Sequence, residues 1–583
     1  MFHRLSALLP ILVCAALLLI ACGGAAAPAG SGQTTSAPGS QSAPASGTSA
    51  RQNPPATEHH APSAAASTAA AANAAPFDSA PAAGGAPPAP RAEAADPAQA
   101  YPPAAPPERH EPPARQRPPL GEPYDSTYFQ NYGVNPFVDA WSDPLSTFAM
   151  DIDTASYGVM RRFISDGNLP DPASVRVEEY LNNFNYRYPQ PDAGSNFAIY
   201  SEVAPSPWGG SGYEMVQIGI QGRAIADADR APTSLTFVID VSGSMEREDR
   251  LETVKDALAT LVTQLRPDDT IGIVVYGSSA RSILAPTSGA DKRRILDAIY
   301  SLSPDGSTNV EAGLDIGFAQ ADEAFQRQGS NMILLCSDGV ANNGVTDPAA
   351  LLDKYERYTA QGIKLSTYGF GMGNYNDVLM EQLADAGNGF YSYIDSMDEA
   401  RKLFVENLTG TLQLIARDAK IQVEFDPNVV ERYRLVGYEN RDVADQDFRN
   451  DAVDAGEVGA GHSVTALYEI KRFEDARSAA APLATVRIRY YKIGGGRQVV
   501  EEQQAIGPES VRRSFREATP RFRLAVSVAQ YAELLRYSRW ARGVALDDVV
   551  QTARDAARDF ESAADVEEFV GLLDRAAALA PED

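Results

Sequence analysis

Short, fully apolar runs that each stop at a polar cluster set the frame for the middle of this chain. Leu235 to Ile239, Ile271 to Tyr276, Met332 to Cys336 and Ile363 to Phe370 read as buried strands. Between them the spacing turns helical. Leu251, Val254, Leu258, Leu261, Val262 and Leu265 mark one amphipathic helix, broken by Pro267, Asp268 and Asp269. Lys292 to Leu302, Asn309 to Gln326, Leu351 to Thr359, Asp377 to Ala386 and Glu399 to Ile415 read as further helices. Phe390 to Ile394 reads as another strand. Apolar strands alternating with helices predict an α/β fold: a doubly wound, mostly parallel sheet covered on both faces. About 185 residues, 231–416, suffice for one such domain with a full core.

The polar residues at the strand ends carry the chemistry. The run SLTFVIDVSGSM places Asp240, Ser242 and Ser244 at the end of the first strand. Asp338 comes just after the strand MILLC, and Thr308 lies in the loop before a helix. In a parallel sheet the carboxyl ends of all strands share one edge, where open α/β sheets bind ligands. Two carboxylates and three hydroxyls gathered there are hard oxygen donors of the kind Mg²⁺ takes.

The segments DVSGSM, GSTN and CSDG resemble the metal-ion-dependent adhesion site of the von Willebrand factor type A (VWA) domain. The resemblance implies a Rossmann-like VWA fold that holds Mg²⁺, Mn²⁺ or Ca²⁺ through Asp240, Ser242, Ser244, Thr308 and Asp338. It further implies an open coordination position for an acidic group of a protein partner.

The termini of the domain map are read from composition. Residues 1–22 carry Arg4, an apolar core from Leu8 to Ile20, and then Ala21-Cys22, a secretory signal too short to span a membrane. Leu19-Ile20-Ala21-Cys22 before Gly23 resembles a bacterial lipobox, which implies cleavage before Cys22 and diacylation of its thiol. Residues 23–120 hold 20 of the 40 prolines amid Ala, Ser and Gly, and read as an unfolded tether. Its histidines, His59, His60 and His110, are scattered and suggest no metal site. With Cys14 in the signal and Cys22 lipidated, Cys336 is left as a small core residue.

Charge narrows the partners. Residues 121–583 hold 44 Lys and Arg against 71 Asp and Glu. A surface that acidic repels nucleic acid and anionic lipid. The signal and the lipobox resemblance imply a location in the cell envelope, outside the cytoplasm, with membrane contact through the lipid on Cys22, and an acidic surface suits that setting.

The flanks are a region at 121–230, a β-rich region at 417–510 and a helical segment at 511–583. Upstream, Phe197 to Val203 and Tyr213 to Gly222 read as strands. Downstream, Ile421 to Arg441 and Asp454 to Ile470 alternate like antiparallel strands. Val486 to Lys492 and Arg497 to Glu502 form a hairpin pattern around three glycines. In 515–580, Leu524, Val528, Tyr531, Leu534 and Leu535 share one helical face. The flanking motifs STFAMDIDTASY and GYENR with DAGEVGAGH resemble a bacterial lipoprotein family with a central VWA domain. The strands on both sides are expected to form one β-rich unit from which the VWA domain projects, with its two chain ends close together. Rotation of the last VWA helix against that base is the expected route of coupling, as in relatives.

Two motifs are read conservatively. Asp151, Asp153 and Thr154 form a turn with Asx hydrogen bonds rather than a second cation site. Gly369 to Asn374 lacks dinucleotide-loop spacing and reads as a sheet-edge loop. Past the tether His462 is the one histidine, and no catalytic or zinc motif accompanies it, so the chain reads as a binding protein and not an enzyme. The competing reading is an envelope scaffold, or an accessory assembly subunit, with a purely structural metal.

Overall fold

The computed structural model describes residues 127–580, apart from 340–347, 373–374, 479–480, 494–497 and 561–563. The signal, Cys22 and the tether lie outside them. The N-terminal flank supplies β1 (Val138–Asp139), β2 (Leu145–Ala149), α1 (Ala155–Ser165), α2 (Val177–Asn182), β3 (Phe197–Pro205) and β4 (Tyr213–Gly222). None of these strands completes a sheet by itself.

The central segment then winds a sheet of its own. It runs β5 (Thr233–Asp240), α3 (Arg250–Gln264), β6 (Thr270–Tyr276), β7 (Ala280–Ser288), α4 (Lys292–Tyr300), α5 (Val310–Glu323) and β8 (Ser330–Ser337). It continues through α6 (Pro348–Asp353), α7 (Glu356–Gln361), β9 (Ile363–Gly369), α8 (Asp377–Ala386), β10 (Tyr391–Tyr393), α9 (Met397–Arg401) and α10 (Leu408–Leu412). Strand order is β10-β9-β8-β5-β6-β7, parallel except for β7, which runs antiparallel to β6. Alternate residues of the buried strands feed two cores. Leu235, Phe237 and Ile239 pack with α3 on one face, and Val238 packs with Leu314 and Phe318 of α5 on the other. Cys336 is buried in the first of these cores, as a small apolar residue would be. This is an α/β VWA fold, with β-rich and helical material on either side.

Two expectations need correction, and one strand was not anticipated. β7 gives little sign of itself in the sequence because it is an edge strand whose exposed positions are Arg281, Ser282, Ala285 and Ser288 and whose register on β6 slips. The helix expected over Leu351 to Thr359 is two short helices, α6 and α7. The long helix expected from Glu399 to Ile415 is α9, a π-turn over Lys402–Glu406, and α10. It ends at Leu412, since Leu414 already pairs with Gly459 in a flank strand. Thr409, Gly410 and Thr411 are weak helix formers, so ladder pairing takes over there.

The C-terminal flank closes what the N-terminal flank began. It contributes β11 (Leu414–Phe425), β12 (Val430–Val436), β13 (Gly456–Gly459), β14 (Ser463–Arg472), β15 (Ala484–Lys492) and β16 (Val499–Ile506). After them come three helices: α11 (Pro520–Leu535), α12 (Leu546–Asp559) and α13 (Ala564–Leu579). One antiparallel sheet has the order β1-β12-β14-β4-β3, and the other β13-β11-β15-β16, with β2 paired on β11. β13 and β2 follow each other along one side of β11: β13 pairs from Leu414 to Ala419, across an irregularity where Asp418 adopts φ 50°, and β2 pairs from Lys420 to Glu424. Val216, Ile218 and Ile220 of β4 meet Ile421 and Val423 of β11 in the core between the sheets. On the outer face, α1, α2 and α11 to α13 form a helical layer around Tyr157, Tyr180, Phe522 and Phe569. Strands from both sides of the VWA domain therefore build one sandwich, as expected. The inserted domain's ends meet where Ala231 N donates to Gln413 Oε1 at 2.9 Å.

Candidate metal centre

β5 and β8 are neighbours, and strand order reverses there: the chain leaves β5 toward β6 on one side and returns to β8 on the other. Asp240 ends β5 and Asp338 comes directly after β8, so both carboxylates sit at the crevice such a reversal opens. Both are fully buried. Asp240 Oδ1 accepts from Ser242 N at 2.8 Å, which turns the chain sharply after the strand. Asp240 Oδ2 accepts from Ser337 Oγ at 3.0 Å. Burial and the charge of Asp338 push the Asp240 carboxyl up to about 7, because two charges so deeply buried are poorly screened from each other. A divalent cation would relieve that repulsion.

The hydroxyls stand on loops tied to each other. Ser242 Oγ and Ser244 Oγ lie 3.0 Å apart. Gly243 N donates to Gly306 O at 2.9 Å, and Asp305 N to Val241 O at 2.5 Å. These bonds fasten the loop before α5 onto the Ser242–Ser244 loop, and Thr308 is buried in it. Gly306 has φ 75°, and a Cβ there would meet Ser278 Oγ at 1.9 Å, so the turn requires glycine. Asn309 caps α5 by accepting from Ala312 N at 3.0 Å. The structure thus brings Asp240, at the end of β5, to the same sheet edge as Ser242, Ser244, Thr308 and Asp338 on the adjoining loops. Among the described residues no cluster of three or more His, Cys, Asp or Glu side chains is grouped for a metal. The donors here are hydroxyl-rich, a set that fits a hard cation keeping some of its waters.

Two neighbours were not legible in the sequence. Ser337 closes an apolar run and gives no sign that its hydroxyl serves Asp240. Arg250, the first residue of α3, is buried, and its Nη1 donates to Asp338 Oδ2 at 3.1 Å. Its Nη2 donates to Met372 O.

The remaining candidates fall elsewhere. Asp151 Oδ1 accepts from Asp153 N at 2.9 Å in an Asx turn. Arg441 pairs with both carboxylates at 3.3 Å, so they serve as structural counter-charges. His462 lies against Phe390 and Gly410, and burial lowers its pKa to about 4, which keeps it neutral.

Residues 234–406 match the von Willebrand factor type A domain family, and residues 123–216 match a family described as von Willebrand factor. Residues 410–579 match the family described as "Uncharacterized protein YfbK, C-terminal". The chain is 36% identical over 452 residues to "Uncharacterized protein YfbK" of Escherichia coli (strain K12), covering 73% of this chain and 77% of that relative. The chain belongs to the YfbK family. Inter-alpha-trypsin inhibitor heavy chain H1 of Sus scrofa is 30% identical over 219 residues, covering 34% of this chain and 23% of its own length. Among solved structures, "von Willebrand factor type A from Catenulispora acidiphila" covers 66% of this chain and 91% of its own at 14% identity and a TM-score of 0.40. In this YfbK-family chain, then, the VWA match runs from β5 through the π-turn after α9 and includes all five oxygen-bearing residues, while the YfbK match begins within α10 and takes in the strands and helices beyond it.

Proposed function

We propose that this YfbK-family chain is a lipid-anchored, extracytoplasmic binding protein whose VWA domain takes up Mg²⁺, Mn²⁺ or Ca²⁺. Asp240, Ser242, Ser244, Thr308 and Asp338 would hold the ion. When bound, it supplies a Lewis-acidic pole for a carboxylate of a protein partner. The observation that carries the reading is the pair of buried carboxylates at the β5/β8 crevice, with Asp240 raised by its burial and then by Asp338. On this reading Cys22 carries the anchor. No helix among the described residues is long and apolar enough to cross a membrane.

The chain's own residues do the orienting. Ser337 and the backbone N–H of Ser242 fix Asp240. The bonds from Gly243 and Asp305 keep the serine and threonine loops together. Few formal charges in the donor set leave the ion electrophilic toward an external carboxylate.

Thermal unfolding of the full-length protein in EDTA, Mg²⁺, Mn²⁺ and Ca²⁺ tests the site. An ion bound only to the native state at a hundredfold excess over its dissociation constant should add about 2.7 kcal/mol. Asp240→Ala should abolish that gain. A folded wild-type protein with no cation-dependent gain would rule the site out. Partner capture should be lost in EDTA and in Asp338→Ala. Capture that survives both, with the cation gain present, would favour a structural metal in an envelope scaffold.

A further inference from the structure

Arg250 is a buried cation that donates to a carboxylate of the site, and its guanidinium holds two different partners. Nη1 holds Asp338 Oδ2 at 3.1 Å. Nη2 holds Met372 O. The side chain lies across Gly371, which has φ 74°; a Cβ there would meet Arg250 Nε at 2.1 Å, so glycine makes room for the guanidinium. Met372 leads out of the site. Its side chain packs with Tyr375, Tyr391 and Tyr393 against Ala155, Val159 and Phe163 of α1, a helix of the flanking unit. Further along the same loop, Tyr375 O accepts from Tyr128 N at 2.9 Å, again across to the flank. A single side chain thus touches a metal-site carboxylate and the loop that seats the VWA domain on its neighbour.

The charges around Asp338 decide what Arg250 does. Asp240 and Asp338 together would carry two negative charges in a buried site, and Arg250 offsets one of them. A divalent cation arriving beside Asp338 meets that guanidinium at close range, in surroundings that screen poorly. Either the ion binds against the repulsion or Arg250 gives up its hold. Its other contact, on Met372, is then disturbed as well.

We propose that Arg250 is a resident counter-cation of the metal centre: an incoming divalent ion displaces it from Asp338, and the loop carrying Met372 relays that displacement to α1. The inference rests on the metal site proposed above. It also gives a route of coupling different from rotation of the last VWA helix. That helix is broken by a π-turn, and it is held to the flank where Arg161 pairs with Asp395 and Glu399 and where Lys402 Nζ donates to Asn183 O at 2.7 Å.

The test uses Mn²⁺ alone as the probe, titrated calorimetrically into the full-length protein, with Arg250→Gln, Arg250→Lys and Asp240→Ala alongside. Arg250→Gln should bind Mn²⁺ about tenfold tighter or more, because a close like charge has gone. Arg250→Lys keeps the charge and should stay near wild type. Amide exchange in Ala155–Ser165 should change on Mn²⁺ addition in the wild type and not in Arg250→Gln, where the link is already cut. If Arg250→Gln folds only with Mn²⁺ present, the cation is replacing the missing guanidinium, which supports the proposal. Mn²⁺ binding of equal or weaker affinity in Arg250→Gln overturns the proposal and leaves the metal site standing. So does a variant that stays unfolded in saturating Mn²⁺ while the wild type binds the ion. No binding by folded wild type or Arg250→Gln overturns both readings.

Discussion

At the scale of single residues, burial decides which carboxylates matter. Glu178 on α2 is buried, and its Oε2 accepts from Tyr438 N at 2.8 Å, while Oε1 has no hydrogen-bond partner. Burial first, and Glu439 next, push its carboxyl from 4.5 up to about 7. The folded chain therefore keeps a proton that the unfolded chain releases between those two values. Stability falls as pH rises through that window and is lowest above it. Glu178→Gln keeps an oxygen for Tyr438 N and cannot ionise. It should leave stability unchanged near the bottom of the window and raise it by ~1–3 kcal/mol above the window, where the wild type carries the buried charge. Urea denaturation at both ends of the window measures the difference; equal gains at both would mean the effect is packing and not charge. Sequence could not reveal this group, because Glu178 reads as an ordinary acidic residue in the first turn of a helix. The five oxygen-bearing residues were legible for the opposite reason: each sits where an apolar pattern breaks, at the end of a strand or the start of a helix. Arg250 was hidden because a basic residue at a helix start looks solvated.

At the scale of elements, local apolar density made β5, β6, β8, β9 and α8 readable, since each needs only its own pattern to be recognised. What failed depended on distant partners. β7 exists because β6 offers an edge, and the last VWA helix stops because β13 competes for Leu414. The joint between the VWA domain and the flank is likewise invisible in sequence, since its charges come from segments far apart. On the VWA side, α8 presents Asp377, Glu381 and Asp385. Arg176 grips Asp377 at 2.6 Å, and Arg441 meets Glu381 at 3.3 Å and Asp385 at 2.6 Å. Arg441 simultaneously neutralises Asp151 and Asp153. Removing it would strand several carboxylates, three of them deeply buried. Arg441→Met, close in volume and uncharged, should therefore cost ~3–5 kcal/mol in chemical denaturation. A loss under about 1 kcal/mol would show that those carboxylates take up protons or water instead, and that the joint is not held by charge.

At the scale of the whole molecule, the question is whether the VWA domain and its base unfold as one. Each flank sheet mixes strands from before and after the insertion: β14 pairs with β4, and β11 pairs with β2. The sandwich therefore cannot form until the chain has passed through the VWA domain. The two units then share buried ion pairs at Arg161, Arg176 and Arg441 and an apolar cluster around Met372 and Tyr391. Opening one unit alone would expose those charges without partners. The units should consequently melt in a single transition. All three tryptophans, Trp141, Trp208 and Trp540, lie outside 231–416, so selectively excited tryptophan fluorescence reports the flank alone. The five residues proposed to hold the cation all lie inside 231–416. Mg²⁺ should nonetheless raise the fluorescence midpoint by the same amount as the calorimetric one, because a ligand that stabilises one part of a cooperative unit stabilises all of it. A fluorescence midpoint that ignores Mg²⁺ while calorimetry shows a second, shifted peak would mean the joint is weaker than its buried charges suggest. In that case a signal from Arg250 through Met372 would die at α1 and not reach the sandwich.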